Sequence, residues 1–165
     1  AQSYHDHNWG VWRGVTWDWG AARAGQYTFL YGRVYPSDTT APVPPLLVYL
    51  VDSLGFRAVF RPKIISYADD RIVSAGPVQL RVPSTASFED VRGKDTLRVD
   101  ITVEDAIATD TRPRGRAGET ERGDPLGSEK RRPYFIQMKG TSRISGRLDG
   151  QRLSGTGTGF FETYR

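Results

Sequence analysis

The chain has 165 residues, enough for one domain with a core of its own, and it has no cysteine, which excludes disulfides and thiolate metal centres. Its net charge is +4 and its pI about 9.5, yet the densest basic stretch, Arg112 to Arg132, is interleaved with Glu119, Glu121, Asp124 and Glu129, so nucleic acid is not an expected partner. No apolar run reaches the length of a membrane span, and no charged segment followed by an apolar one marks a signal peptide, so a soluble protein of a bacterial-type cytoplasm or periplasm is expected, with peripheral membrane contact left open.

In chain order, Tyr4 to Trp9 read as extended puts His5, His7 and Trp9 on one face and Tyr4, Asp6 and Asn8 on the other. Gln26 to Tyr35 reads as a strand with Tyr27, Phe29, Tyr31 and Tyr35 on one face. Leu46 to Asp52 and Phe56 to Phe60 flank the turn Asp52-Ser53-Leu54-Gly55. Pro62 to Tyr67 follows, then two short runs, Arg71 to Ser74 and Val78 to Val82, split by Gly76-Pro77. Ser87 to Val91 turns through Arg92-Gly93-Lys94-Asp95 into Thr96 to Glu104, where Leu97, Val99, Ile101 and Val103 alternate with polar residues. The segment Ala108 to Arg132 has only Leu126 as a large apolar side chain and is expected to be a long charged loop, either a tether or a lid over a barrel mouth. Tyr134 to Leu148 and Gln151 to Tyr164 form a last hairpin around Asp149-Gly150.

No window carries a helical apolar period free of breakers, so the expected fold class is all-β, an antiparallel barrel of about 8–10 strands. Gly155, Gly157 and Gly159 in the last strand allow sharp coiling or close backbone approach, which favours a barrel over a flat sandwich.

Both histidines and all four tryptophans fall at or before Trp19. Histidine titrates near neutral pH, and tryptophan offers a π face that attracts cations, so chemistry or ligand contact is expected in this segment. Three readings stand side by side. His5 and His7 could begin a metal site, completed by a carboxylate such as Asp38 or Glu162. A carboxyl and an imidazole in an apolar, aromatic cavity could deliver a proton to a carbon–carbon double bond. Or Trp, His, Asp and Asn could form a hydrogen-bonded plug with no chemistry.

Tyr4-His5-Asp6-His7-Asn8-Trp9-Gly10, followed by Trp17-Asp18-Trp19-Gly20, resembles the signature of the AttH-type family, which includes the carotenoid 1,2-hydratases. Gly155-Thr156-Gly157-Thr158-Gly159-Phe160-Phe161-Glu162 is similar to that family's closing strand. The resemblance implies a lipocalin-like barrel, the second of two in tandem, so that an absent N-terminal domain or a second copy would complete it. It also implies proton addition to an isoprenoid double bond followed by capture of water, with no metal or organic cofactor. By resemblance His7 and Trp9 take the leading roles, Tyr35 and Asp38 are the nearest match to the family's downstream tyrosine and aspartate, and Asp6 is the fallback proton donor, beside His5. The expected partner is an apolar isoprenoid or polyketide-like molecule lying against Trp12, Trp17, Trp19, Tyr27, Phe29 and Tyr31. A non-catalytic carrier of such a ligand and a His-x-His metal enzyme are the alternatives.

Overall fold

The computed structural model describes residues 15–38, 40–112 and 132–165. The readings placed on His5, Asp6, His7, Trp9, Trp12 and most of the charged segment therefore lie outside the described residues. Every described element is a strand: β1 (Thr16–Ala24), β2 (Tyr27–Tyr35), β3 (Leu47–Asp52), β4 (Gly55–Phe60), β5 (Ile64–Ala68), β6 (Arg71–Ala75), β7 (Val78–Val82), β8 (Thr85–Arg92), β9 (Asp95–Asp110), β10 (Tyr134–Leu148) and β11 (Gln151–Tyr164). No helix among them is long and apolar enough to cross a membrane.

Nine strands form one antiparallel sheet in the order β4-β3-β2-β1-β11-β10-β9-β8-β5, while β6 and β7 pair only with each other. The fold is an all-β, lipocalin-like barrel. Tight turns join most neighbours; at Asp149 and Gly150 both φ angles are positive (50° and 78°), the geometry that a two-residue hairpin needs to match strand twist. The edge strands β4 and β5 have no ladder between them. The link Arg61-Pro62-Lys63 joins them, and β8 fastens it: Arg61 N donates to Asp90 Oδ2 (2.7 Å), Lys63 N to the Glu89 carbonyl (3.0 Å), and Arg92 Nη1 to the Val59 carbonyl (2.9 Å). An open cleft of about 440 Å³ runs along this seam, beside Arg61, Lys63 and Asp90.

Alternating residues fill the interior, and Phe29, Phe60, Phe88 and Phe161 are at most 1 % exposed. β1 was not expected as a strand. Its inner face, Asp18, Gly20, Ala22 and Ala24, has no large apolar side chain and so lacks the alternation that marked the others. The smallness has a packing reason: a Cβ at Gly20 would sit 2.5 Å from the Tyr31 ring and 2.7 Å from that of Phe161. Close approach continues along β11, where a Cβ at Gly155 or Gly157 would lie 2.1 or 2.0 Å from the carbonyl oxygens of Ala24 and Arg23.

The other correction concerns β9. It does not stop at Glu104 but runs 16 residues to Asp110, so Ala108 to Asp110, assigned to the charged loop, are strand. A strand needs a partner more than apolar residues of its own, and β10 supplies one: Ile136 pairs with Ala108 and Phe135 with Thr109. A bulge makes the extension work. Lys139 faces Asp105 but Gly140 faces Val103, which leaves Glu104 as the extra residue and moves the inward face from Val99, Ile101 and Val103 to Ala106 and Ala108.

Because the obstruction at Gly157 is backbone rather than a movable side chain, Gly157→Ala is expected to destabilise the fold by about 2 kcal/mol or more, as overpacking of a tight contact does. The exposed neighbour substitution Thr156→Ala should change stability by no more than about 0.5 kcal/mol; urea unfolding of the two variants makes the comparison.

Candidate functional site

Strand parity places one charged residue where a core residue would stand. Asp18 shares the inner face of β1 with Gly20 and Ala22, and it is only 4 % exposed. Its register partner on β2 is Arg33, which shares the inward parity of Phe29, Tyr31 and Tyr35. At the end of β11 Thr163 points inward next to it, and Tyr67 reaches it from β5.

All four groups donate to the one carboxylate. Thr163 Oγ1 donates to Oδ1 at 2.5 Å, and Oδ2 accepts from Tyr35 Oη (2.5 Å), Arg33 Nη2 (2.9 Å) and Tyr67 Oη (3.3 Å). Burial alone would raise the Asp18 pKa, but the Thr163, Tyr35 and Arg33 hydrogen bonds and the Arg33 charge outweigh it and hold the carboxyl below its ordinary value. Burial and the hydrogen bond to Asp18 push the Tyr35 phenol up. Burial and the Asp18 charge push Tyr67 well above the usual tyrosine range. Tyr31, buried alongside, is also raised, chiefly by burial. At neutral pH the group is therefore one carboxylate, one guanidinium and three protonated phenols.

Around it lies a second ring of charge. The Tyr35 ring has two guanidiniums near its centre, Arg33 at 5.0 Å and Arg132 at 4.2 Å. Arg165 donates to Thr163 Oγ1 (3.3 Å) and bridges to Asp69 (3.1 Å). Beside Asp18 and Tyr67 the barrel leaves a mostly apolar void of about 20 Å³, lined also by Tyr31, Ile101, Met138, Phe161 and Thr163. That is room for one water molecule.

The structure brings some of the sequence-derived site residues together and separates others. Tyr35 belongs to the Asp18 group. Tyr27, Phe29 and Tyr31 are buried in the core, Tyr31 tilted against Phe88 at 4.8 Å. Trp17 lies on the outer face of β1, edge-on to Tyr164 (5.0 Å) and Phe135 (6.2 Å), and its Nε1 donates to Glu162 Oε2 (3.2 Å). Trp19 shares that face and lies over Gly32. Asp38 is exposed, and its carboxylate accepts from the Thr40 backbone N–H (2.8 Å) and hydroxyl (2.7 Å), a local turn apart from Asp18. Among the described residues, no three His, Cys, Asp or Glu side chains converge as metal ligands would. Asp18, Arg33, Tyr67 and Thr163 were not singled out from sequence. The one available signal was parity: a carboxylate and a guanidinium at inward positions of adjacent strands.

No known family matches the chain, and no curated protein does. Among solved structures, kievitone hydratase from Nectria haematococca overlaps with a TM-score of 0.48 at 11 % identity, over 95 % of this chain and 41 % of that one. A candidate AttH protein from Nitrosomonas europaea overlaps with a TM-score of 0.44 at 17 % identity, over 91 % of this chain and 39 % of that one. The chain spans about two fifths of the length of either structure.

Breaking the buried pair should be costly. Asp18→Asn is expected to lose about 3 kcal/mol near neutral pH, because Arg33 keeps its charge and loses its counter-ion. The native carboxyl has a lower pKa than the unfolded one, so its contribution is fully present above the ordinary aspartate value of about 3.9 and disappears as pH falls through the native value. Urea titrations from pH 7 downward should show the two proteins converging in stability below about pH 4; a constant gap would contradict it.

Proposed function

We propose that this domain adds water to a carbon–carbon double bond of an apolar small molecule, at the end of the barrel where Asp18 sits. The observation that carries the reading is the water-sized void between an ionised, fully bonded carboxylate and an apolar wall. A water held there has Tyr67 and Asp18 beside it, while an alkene would need only the apolar side. In this scheme a proton adds to one alkene carbon, the water oxygen bonds to the other, and the water gives up one proton, so that one molecule of water is added and the proton is returned.

Asp18 is too strongly held as an anion to be the first proton source, and the phenols around it are poor acids. The donor is therefore proposed to be His7, with Trp9 stabilising the developing cation through its ring face. Both precede β1 directly in the chain. Asp18 and Tyr67 are proposed to orient the water and take up its proton's charge. The resemblance and the share of longer chains that this one spans support a further domain, or a second copy, as the other wall of the site.

The test is incubation with a panel of terpenoid and polyene alkenes in oxygen-labelled water, read by mass spectrometry. One labelled hydroxyl per product is expected. His7→Ala and Trp9→Ala should each reduce turnover by about 100-fold or more while leaving the unfolding curve in place. Tyr67→Phe should lower the rate with little change in substrate affinity. Bound but unchanged alkenes would favour a carrier, and full turnover in both His7→Ala and Trp9→Ala would remove those residues from the mechanism.

A further inference from the structure

An alkene is larger than the water-sized void beside Asp18 and needs a way to reach it. Each inner strand is hydrogen-bonded on both sides, so displacing one breaks two ladders. The β6–β7 hairpin is different. It leaves the sheet after β5, pairs only with itself and returns at β8. Its neck is closed: Ser84 N donates to the Ala68 carbonyl (2.8 Å), and Arg165 bridges to Asp69.

Beyond the neck, among the described residues, one hydrogen bond joins the hairpin strands to the barrel, from Arg71 Nη2 to the Val103 carbonyl (2.8 Å). The same guanidinium has a buried Nε with no acceptor, so the contact is only half satisfied. The rest is apolar. Val73 and Leu80 press on the core and Val82 is fully buried, while Ile72, Ser74, Gln79 and Arg81 face outward. β6 lies against β9, whose inward residues past the bulge are Ala106 and Ala108. Alanines offer little depth to grip, and a two-stranded hairpin has little stability of its own. Such a segment opens locally at low free-energy cost. Its return leg passes Pro83, which lines the void beside Asp18.

We propose that the β6–β7 hairpin is a lid, and that lifting it uncovers the apolar core surface that Val73 and Leu80 now cover beside β9, a binding surface for an uncharged apolar ligand that leads past Pro83 to the Asp18 void. This deepens the hydration reading by giving its substrate a way in, and it rests on that reading only for what happens at Asp18. The side chains that close on this surface are aliphatic, so the ligand is a hydrocarbon chain or ring system and not an anion.

The probe is N-phenyl-1-naphthylamine, an uncharged fluorophore, titrated into the full chain and into Arg71→Met. Removing the single tie raises the open fraction, and apparent affinity rises in proportion. A roughly fivefold lower apparent Kd is expected, with faster amide exchange confined to Arg71–Val82 and an unchanged melting temperature. Faster hairpin exchange without tighter probe binding overturns the proposal, as does tighter binding without faster exchange. Should Arg71→Met fail to fold, exchange of the unaltered chain with and without probe decides. Protection along β9 together with deprotection of the hairpin supports the lid; protection elsewhere, or none, overturns it. Probe binding gated by Arg71 in a protein that hydrates no alkene would overturn the hydration reading and leave the lid standing.

Discussion

A carboxylate taken out of water at one end of the barrel is the constraint around which the rest is arranged. Asp18 stays ionised because Thr163, Tyr35, Arg33 and Tyr67 all donate to it, and those donors come from β11, β2 and β5. The anion thus clamps strands that are far apart in sequence. It also dictates what surrounds it: phenols held protonated and a guanidinium held charged. Buried ion pairs are poor investments in stability, and apolar replacements of similar volume often do as well. Asp18 nonetheless stands at this end of the barrel, beside a water-sized void.

The barrel and the site share one logic. Large rings from β2, β8 and β11 fill the middle because β1 and β11 are stripped to glycine and alanine where they meet. That packing leaves a water-sized gap beside Asp18. It also leaves the β6–β7 hairpin as the part of the apolar structure that can move without unzipping the sheet.

Much of the architecture was legible in the residues. The alternation from Leu97 to Val103 named a half-buried strand, and Asp149-Gly150 named a hairpin whose φ angles match. The glycines of β11 were read as permitting close approach, and they do. What the sequence concealed has physical causes. β1 has no large inward side chains, so periodicity could not find it. β9 passes through a bulge at Glu104, so its alternation breaks although the strand continues. The Asp18 group was hidden because its donors lie between 15 and 145 residues away, a separation that no local motif records. Tyr35 was picked out with Asp38 by resemblance, whereas the carboxylate that accepts its hydrogen bond lies on the adjacent strand.

The pairing of β1 with β11 also bears on how the molecule is made. Trp19 meets Glu162 only after nearly all of the intervening chain exists, so the cylinder cannot shut during most of its synthesis. Until then β1 is an edge with small, unsatisfying side chains, and Asp18 remains hydrated beside Arg33. Thr163 is the last donor to arrive. Dehydration of that carboxylate therefore belongs to the final step of folding, and a nascent chain stalled before β11 would carry neither a closed wall nor a formed site.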